Sequence, residues 1–279
     1  MIRLLGLYRE KECSPGRHQS NDALLLDEVA CCLRARTDFS VELSTIEQAS
    51  ARRPAATFVF SMCQGPAALD LLAGWERSGV PIVNSPRAAR NTYRDRLPAL
   101  MAGAGVPFPE TALITTRDPR APRIGNGFWL KRGDVHASVS ADVQWVDSLA
   151  AFEACCADFM SRGIEIAAVQ AHRAGDEVKF YGVAGAFFHW FYAGPSRGYS
   201  FDPVALRHLA SRAAGGLDVF GGDVIVSPSG ELTLIDLNDW PSFAPCRTRA
   251  AEAIADHVTG RVHAAWNRGL VSSANQSAV

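Results

Sequence analysis

The chain has 279 residues, of which 48% are hydrophobic and 20% charged, and its 28 basic and 29 acidic residues give a formal net charge of −1. This composition predicts a substantial buried core, and the length allows more than one subdomain. The sequence has no basic stripe with interleaved aromatic residues, the pattern that would indicate nucleic-acid binding. No segment approaches the roughly 18 apolar residues of a membrane span. We therefore expect a cytoplasmic protein that acts on a small molecule and has no nucleic-acid or membrane partner.

The first 85 residues alternate short apolar runs with amphipathic stretches. IRLLGLY, FSVEL, ATFVFSMC and VPIVN predict strands, and DALLLDEVACCLRA and PAALDLLAGWERSG predict helices. This alternation is typical of a small parallel α/β domain, in which ligands lie at the carboxyl ends of strands. Arg9 and Glu10 follow the first run and Gln64 follows the third, so Arg9 and Gln64 are candidate substrate residues. The alternative is a set of polar loop residues without a ligand.

From Pro86 onward the pattern changes. A helix is predicted over 86–105, kinked or restarted at Pro98, and the two prolines of VPFPETALIT favour an extended segment. Strands are predicted at GFWLKRGD, IEIAAVQAH and EVKFYGVAGAFFHWFYAG, helices at SLAAFEACCADFMSRG and DPVALRHLASRAAGGL, and a loop at VHASVSADVQWV. The predicted domains are 1–85, 86–171 and 172–268, followed by a flexible tail over 269–279.

The strongest chemical signal lies in a predicted hairpin, FGGDVIVSPSGELTLIDLND, whose turn is SPSG. Strand alternation puts Asp236 and Asn238 on one face, and pairing around the turn brings Asp223 roughly opposite them. Three oxygen-bearing side chains suit a hard cation such as Mg²⁺. The alternative is a polar solvent-facing edge, but the apolar runs around these residues would make their burial costly without a counter-charge.

Two lysines, Lys131 and Lys179, lie inside otherwise apolar strands. Each alone is compatible with an exposed strand edge, whereas both together with the acidic hairpin favour contact with phosphate. In the loop after Lys131, the small residues Gly133 and Ser138 allow backbone amides to approach a phosphate, and His136 is a candidate donor. A loop histidine without a ligand is the equal alternative.

Several segments, taken in order, resemble the ATP-grasp superfamily over most of the chain from residue 84 to residue 249. They are 93–97 with 105–111, then 128–131, 169–172 and 177–181, and finally 216–226 with 234–241. Asp236 stands where amide-forming ligases of the family commonly have glutamate. The sequence is therefore similar to the ribosomal-modification-like and inositol-polyphosphate-kinase-like branches.

The resemblance implies roles for particular residues. It places the nucleotide against Arg96 (in place of the usual lysine), Lys131, Gln170, Ala171, His172, Glu177 and Lys179, together with the loop residues Gly133, His136 and Ser138. It implies magnesium at Asp223, Asp236 and Asn238, and catalytic roles for Lys131, Lys179 and Arg249. Arg197 and Ser242, placed by their order along the chain, join Arg9 and Gln64 as candidate substrate residues.

The implied fold class is α/β, with α+β character in the ATP-grasp part: a small parallel amino-terminal domain precedes two ATP-grasp subdomains that hold ATP between them. The implied activity is a Mg-ATP-dependent ligase that converts a small-molecule carboxylate to an acylphosphate for attack by an amine or thiol. The alternatives are a kinase that phosphorylates a hydroxyl, which Asp236 favours, and a nucleotide-binding protein without turnover. The implied cofactors are ATP and one or two Mg²⁺ ions, replaceable by Mn²⁺, and the apolar runs permit a homodimer.

Overall fold

The computed structural model describes residues 1–14, 18–49, 54–120 and 122–269. Of the tail predicted to be flexible over 269–279, all but Gly269 lies outside the described residues. Within the described part of the chain, no helix combines the length and apolar character needed to cross a membrane.

The amino-terminal part is a four-stranded parallel sheet with strand order β2-β1-β3-β4. Its elements are β1 (Ile2–Leu7), α1 (His18–Arg34), β2 (Phe39–Ser44), α2 (Ile46–Ala49), β3 (Phe58–Ser61), α3 (Pro66–Arg77) and β4 (Ile82–Val83). Alternate residues of β1 and β3 pack against α1 on one face and α3 on the other, which is why these strands are apolar runs. The α/β fold class predicted from the sequence is confirmed.

The helix predicted over 86–105 is two short helices, α4 (Pro86–Arg90) and α5 (Leu97–Gly103). Pro98 occupies the first turn of α5, where its missing N–H leaves no hydrogen bond unmade, so the helix restarts there. The turn between the two helices carries Thr92, Tyr93 and Arg94 into the interior.

A second sheet is antiparallel with strand order β5-β8-β6-β7. It consists of β5 (Thr111–Thr115), β6 (Phe128–Arg132), β7 (Val143–Val146) and β8 (Ile166–Ala171), and α6 (Leu149–Ser161) covers one face. The sequence prediction of a loop over 135–146 is wrong for β7. This strand of four residues is stabilised by its pairing with β6, which local pattern does not reveal.

The third sheet is also antiparallel, with strand order β10-β9-β11-β12. It contains β9 (Asp176–Val183), β10 (Phe187–Tyr192), β11 (Val219–Val226) and β12 (Leu232–Asp239), and its apolar face packs against α7 (Pro203–Ala214). The predicted hairpin is confirmed, and its turn ends at Gly230, whose φ of +84° suits glycine.

The last helix, α8 (Arg247–Asn267), returns to the amino-terminal sheet, where Ile254 and Val258 join the core formed with α1. The amino-terminal sheet and the last described helix therefore share one core, an arrangement that the sequence pattern does not predict. The domain bounds 1–85, 86–171 and 172–268 stay predictions.

Asn84, just after β4, joins the first sheet to the third. Its Oδ1 accepts hydrogen bonds from the backbone N–H groups of Asp218 (2.6 Å) and Val219 (2.9 Å), and its Nδ2 donates to Val219 O (2.6 Å) and to the carboxylate of Asp239. All of these groups are shielded from water, so the side chain is their hydrogen-bond partner.

We expect Asn84→Ala to lower the free energy of unfolding by about 2–4 kcal/mol, because several buried backbone and carboxylate groups lose their partner. Urea unfolding of the two proteins measures the difference. Asn126→Ala, in an exposed turn, is the matched control and should change the value by less than about 0.5 kcal/mol. A loss as small as the control's would show that water replaces the amide.

Candidate functional site

A cleft of about 390 Å³ separates the uncovered faces of the two antiparallel sheets. Strand alternation explains part of its lining: Phe128 and Leu130, which flank Trp129, and Val224, which follows Asp223, belong to the covered cores. Ile235 and Asp236 both line the cleft, because the register of β11 and β12 shifts between Asp223 and Val224. Trp129, Lys131 and Gln170 line it from the second sheet, and Glu177, Asp223 and Asp236 line it from the third. The lining thus combines apolar surface, including Trp129, with charged groups from both sheets.

Asp223 and Asp236 lie directly opposite each other on β11 and β12, where the sequence predicted Asp223 roughly opposite Asp236 and Asn238. Their side chains are 14% and 13% exposed, respectively. Burial raises the pKa of Asp223, against the effect of Lys179. Burial also acts to raise the pKa of Asp236, but Arg94 and Lys131 outweigh it and hold that pKa at about 2. The charged form of two adjacent, largely buried carboxylates is therefore stabilised by the surrounding cations.

Both lysines predicted from the sequence reach this acid pair. Lys179 Nζ lies 2.5 Å from Asp223 Oδ1 and 3.4 Å from Glu177 Oε1. Burial favours its neutral form, yet Asp223 outweighs burial and the pKa of Lys179 is raised. Lys131 is almost fully buried and donates to Ile235 O at 3.3 Å. Burial lowers the pKa of Lys131 to about 8, although Asp236 opposes the shift.

Arg94 is a third cation in the cleft, and sequence reasoning missed it. Its Nη2 lies 2.6 Å from Asp236 Oδ2, while its Nε and Nη1 are buried and have no hydrogen-bond partner among the described residues. Arg96, the residue predicted from the sequence, is exposed at the start of α5 and lines no part of the cleft. Nothing in the local pattern distinguishes these two arginines, because only the turn between α4 and α5 decides which one points inward.

The hinge between β8 and β9 lies at the Trp129 end of the cleft, where Ala171 lines it beside the polar residues Gln170 and His172. Gln170 Nε2 contacts Ile235 O at 3.4 Å, and the N–H of Ala171 donates to Glu110 O at 2.9 Å. Trp129 Nε1 donates to His172 Nδ1 at 3.2 Å, and Trp145 packs edge-on against both rings. The three hinge positions predicted from the sequence are therefore together, with two tryptophans that the sequence reasoning did not select.

The chemistry of the donor set decides whether the acid pair suits a metal. Among the described residues, no group of three or more His, Cys, Asp or Glu side chains is placed to hold an ion. Asp223 and Asp236 nevertheless offer adjacent carboxylate oxygens, and Asn238, on the same face of β12 as Asp236, offers an amide oxygen. These are the hard ligands of Mg²⁺, which keeps several water ligands, so the residues fit this ion.

The loop after β6 lies beside a second cavity, of about 520 Å³, at the carboxyl ends of β1 and β3. His136 and Ser138 line this cavity. Two of the loop amides that were predicted to bind phosphate already have hydrogen-bond partners within the protein. The N–H of Gly133 donates to Ile166 O (2.9 Å), and the N–H of Ser138 donates to Asp142 Oδ2 (2.7 Å). His136 Nε2 lies 2.6 Å from Thr92 Oγ1, and burial lowers the pKa of this histidine to about 3.

The residues predicted to contact the substrate are dispersed. Gln64 lines the second cavity and donates to Asp239 O at 2.9 Å. Arg9 forms an ion pair with Asp22 at 3.0 Å and donates to Trp240 O, so it joins parts of the fold. Arg197, Ser242 and Arg249 line neither cavity. Arg197 donates to Tyr199 Oη at 2.9 Å, and Arg249 is exposed on α8 with its guanidinium 5.5 Å from the Phe187 ring centroid.

No protein-family model matches the sequence, and no curated protein matches it. The fold is similar to that of D-alanine–D-alanine ligase from Bacillus anthracis, with a TM-score of 0.72 and 13% identity over 96% of this chain and 100% of that one. The same ligase complexed with ATP gives a TM-score of 0.69 at 11% identity.

Two further solved structures carry the ATP-grasp name. A RimK domain ATP-grasp protein from Sphaerobacter thermophilus DSM 20745 gives a TM-score of 0.68 at 20% identity, over 92% of this chain and 99% of that one. The ATP-grasp ligase PsnB complexed with its minimal precursor gives a TM-score of 0.62 at 16% identity, over 93% and 99%. Across nearly its whole length, therefore, this protein has the ATP-grasp fold.

Proposed function

We propose that the protein is a Mg-ATP-dependent ligase that activates a small-molecule carboxylate for attack by an amine or a thiol. One observation carries the proposal: a buried pair of aspartates lies in a cleft between two antiparallel sheets, within reach of three cations. The fold supports it, since a ligase complexed with ATP shares the fold. The apolar surface at Trp129 and Ala171 suits a purine, and the charged groups suit phosphates.

In the proposed reaction a carboxylate oxygen of the substrate attacks the γ-phosphorus of ATP, and the bond from that phosphorus to the β,γ-bridging oxygen breaks, which releases ADP. Lys131, Lys179 and Arg94 would bind the phosphates and neutralise charge that develops during transfer. Asp223, Asp236 and Asn238 would hold Mg²⁺, which supplies further charge neutralisation when bound. The Arg94 donors that lack partners are suited to phosphate oxygens.

The second step forms the product bond. The amine nitrogen or thiol sulfur attacks the carbonyl carbon of the acylphosphate, the bond from carbon to the phosphate oxygen breaks, and inorganic phosphate leaves. The nucleophile loses its proton to the departing phosphate or to solvent. Neither step requires a covalent enzyme intermediate, so positioning and charge are the main demands on the protein.

The kinase alternative keeps one supporting observation, since the second acid of the pair is aspartate, as in the kinase-like branch suggested by the sequence. Two Mg²⁺ ions, replacement by Mn²⁺, a homodimer and a cytoplasmic location remain parts of the proposal that rest on the sequence alone.

Replacing both Asp236 by Asn and Asn238 by Ala should abolish the Mg²⁺-dependent part of ATP binding. We expect a loss of more than about a hundredfold in calorimetry, because even groups that merely support metal ligands contribute ten- to hundredfold. The Asn amide oxygen still accepts from Arg94, so the variant keeps a partner for this buried cation. Asp118→Asn with Asn126→Ala, both exposed, is the matched control. Equal binding by both variants would contradict the metal assignment.

The pKa of about 8 for Lys131 predicts how nucleotide affinity depends on pH. Phosphate binds the charged ammonium, which is present below pH 8 and is lost above it. ATP affinity should therefore fall about tenfold between pH 7 and pH 9. Lys131→Arg keeps its charge throughout this range and should show a nearly constant affinity. A wild-type affinity as constant as that of the variant would mean that Lys131 does not bind phosphate.

The reaction type follows from the fate of the γ-phosphate. A ligase releases free phosphate only when an acid and an amine or thiol are both present, whereas a kinase leaves phosphate on a single acceptor. Mixtures of one acid and one nucleophile, followed by phosphate assay and ³¹P NMR, distinguish these outcomes. Phosphate on a hydroxyl product would favour the kinase, and unchanged ATP in the presence of nucleotide binding would favour the non-catalytic alternative.

A further inference from the structure

The second cavity is larger than the nucleotide cleft, at about 520 Å³ against 390 Å³, and none of the residues proposed to hold metal lines it. Its walls come from the residues after β1, from α2, from the start of α3 and from the loop after β6. It lies next to the proposed reaction centre: His136, in its wall, contacts Thr92, and Arg94, two residues further along, pairs with Asp236.

The charged residues in this wall are mainly acidic. Among the described residues, Glu10, Glu12 and Glu47 line the cavity together with one cation, Arg132. The Arg132 guanidinium is already paired with Asp134 at 2.6 Å. Glu10 accepts hydrogen bonds from the backbone N–H groups of Gln64 and Gly65, both at 3.0 Å. A carboxylate ligand would still meet three like charges and no unpaired cation of the described lining, whereas a cationic ligand would meet opposite charge.

A hydrogen-bond acceptor in the wall points to the same ligand chemistry. Thr92 Oγ1 donates its only hydrogen to Ala89 O at 2.6 Å, so it can only accept from His136 Nε2 at 2.6 Å. The neutral ring of His136 then carries its hydrogen on Nε2, and Nδ1 is an acceptor. Nδ1 is buried and has no partner among the described residues, which calls for an N–H or O–H donor.

Much of the rest of the wall is apolar. Ile46, Leu71 and Val135 line the cavity, together with the polar residues Gln64 and Ser138. Glu12 and Glu47 are exposed and form the rim of the cavity. A ligand that fits the cavity therefore needs a hydrocarbon body, N–H donors near His136 and positive charge at this rim.

We infer that this cavity binds the nucleophile of the proposed reaction, and that this nucleophile is an amine with an apolar body and a second, cationic nitrogen. The inference rests on the proposed function for the step that consumes the amine. The inference favours an amine over a thiol as the nucleophile. The carboxylate substrate would then bind in the cleft near Arg94, Lys131 and Lys179.

The test is a calorimetric series of four probes with equal chain length: 1,5-diaminopentane, pentylamine, 5-aminopentanoate and glutarate. We expect affinity to decrease in that order, with the diamine tightest and glutarate weakest. Glu12→Gln and Glu47→Gln should each weaken the diamine by about two- to fivefold, as expected for partly solvated charge pairs, and should leave pentylamine nearly unchanged. Glu153→Gln with Glu252→Gln, two exposed acids on α6 and α8, is the control for nonspecific attraction.

A second readout locates the ligand. Cys13 lines the cavity, so bound diamine should slow its alkylation, followed by mass spectrometry, while Cys155 on α6 reacts at an unchanged rate. Glutarate binding as tight as the diamine, an equal loss in the control variant, or no protection of Cys13 would each overturn the inference.

Mg-ATP binding measured on the same protein separates the two proposals. Nucleotide binding without diamine binding removes the inference and leaves the proposed function intact. Diamine binding and Cys13 protection without nucleotide binding preserve the cavity's ligand class and remove the reaction in which it was placed.

Discussion

Two aspartates facing each other across β11 and β12, shielded from most water, are the constraint around which the cleft is organised. Adjacent carboxylates in a medium of low polarity repel each other, and each also loses hydration. The fold responds with cations from three separate segments: Arg94 from the turn before α5, Lys131 from β6 and Lys179 from β9. The differing pKa shifts of the two aspartates follow from how these cations are shared.

The same distribution of charge distinguishes the cleft between the antiparallel sheets from the cavity at the amino-terminal sheet. Arg94, Lys131 and Arg173 line the cleft between the antiparallel sheets together with three acids, whereas three glutamates and one arginine line the cavity at the amino-terminal sheet. Electrostatic complementarity would guide anionic and cationic ligands to different sides of the reaction centre. In the proposed reaction, such a division would hold the carboxylate and the amine on different sides of the reaction centre before they meet.

Contacts with residues that follow strands of the first sheet hold the end of β12 in place. Arg9 donates to the backbone of Trp240, Gln64 donates to Asp239 O, and Asn84 binds both Asp239 and the start of β11. All three residues follow strands of the first sheet, and sequence reasoning placed substrate contacts at two of them, Arg9 and Gln64. Arg9 instead donates hydrogen bonds to the backbone at the end of β12 and just after it. Gln64 both donates to the end of β12 and lines the cavity at the amino-terminal sheet.

The sequence by itself determined the elements whose signal is local. Alternation placed Asp236 and Asn238 on one face of a strand, and the Ser-Pro-Ser-Gly turn set the hairpin and brought Asp223 roughly opposite them. Lysines in apolar strands marked positions that needed a polar surrounding. The β-bulge between Asp223 and Val224, which the local pattern does not show, makes Asp236 the direct partner of Asp223. Tertiary structure decided what depends on contacts between distant segments. Arg94 rather than Arg96 enters the cleft, β7 is a strand, and α8 closes the first core. The predicted substrate residues Arg197, Ser242 and Arg249 line neither of the two cavities. The physical reason is that side-chain direction within a strand follows from a two-residue period. The direction of a side chain in a turn depends instead on surfaces that other parts of the chain provide. The same holds for the partner of a short strand or of an amphipathic helix.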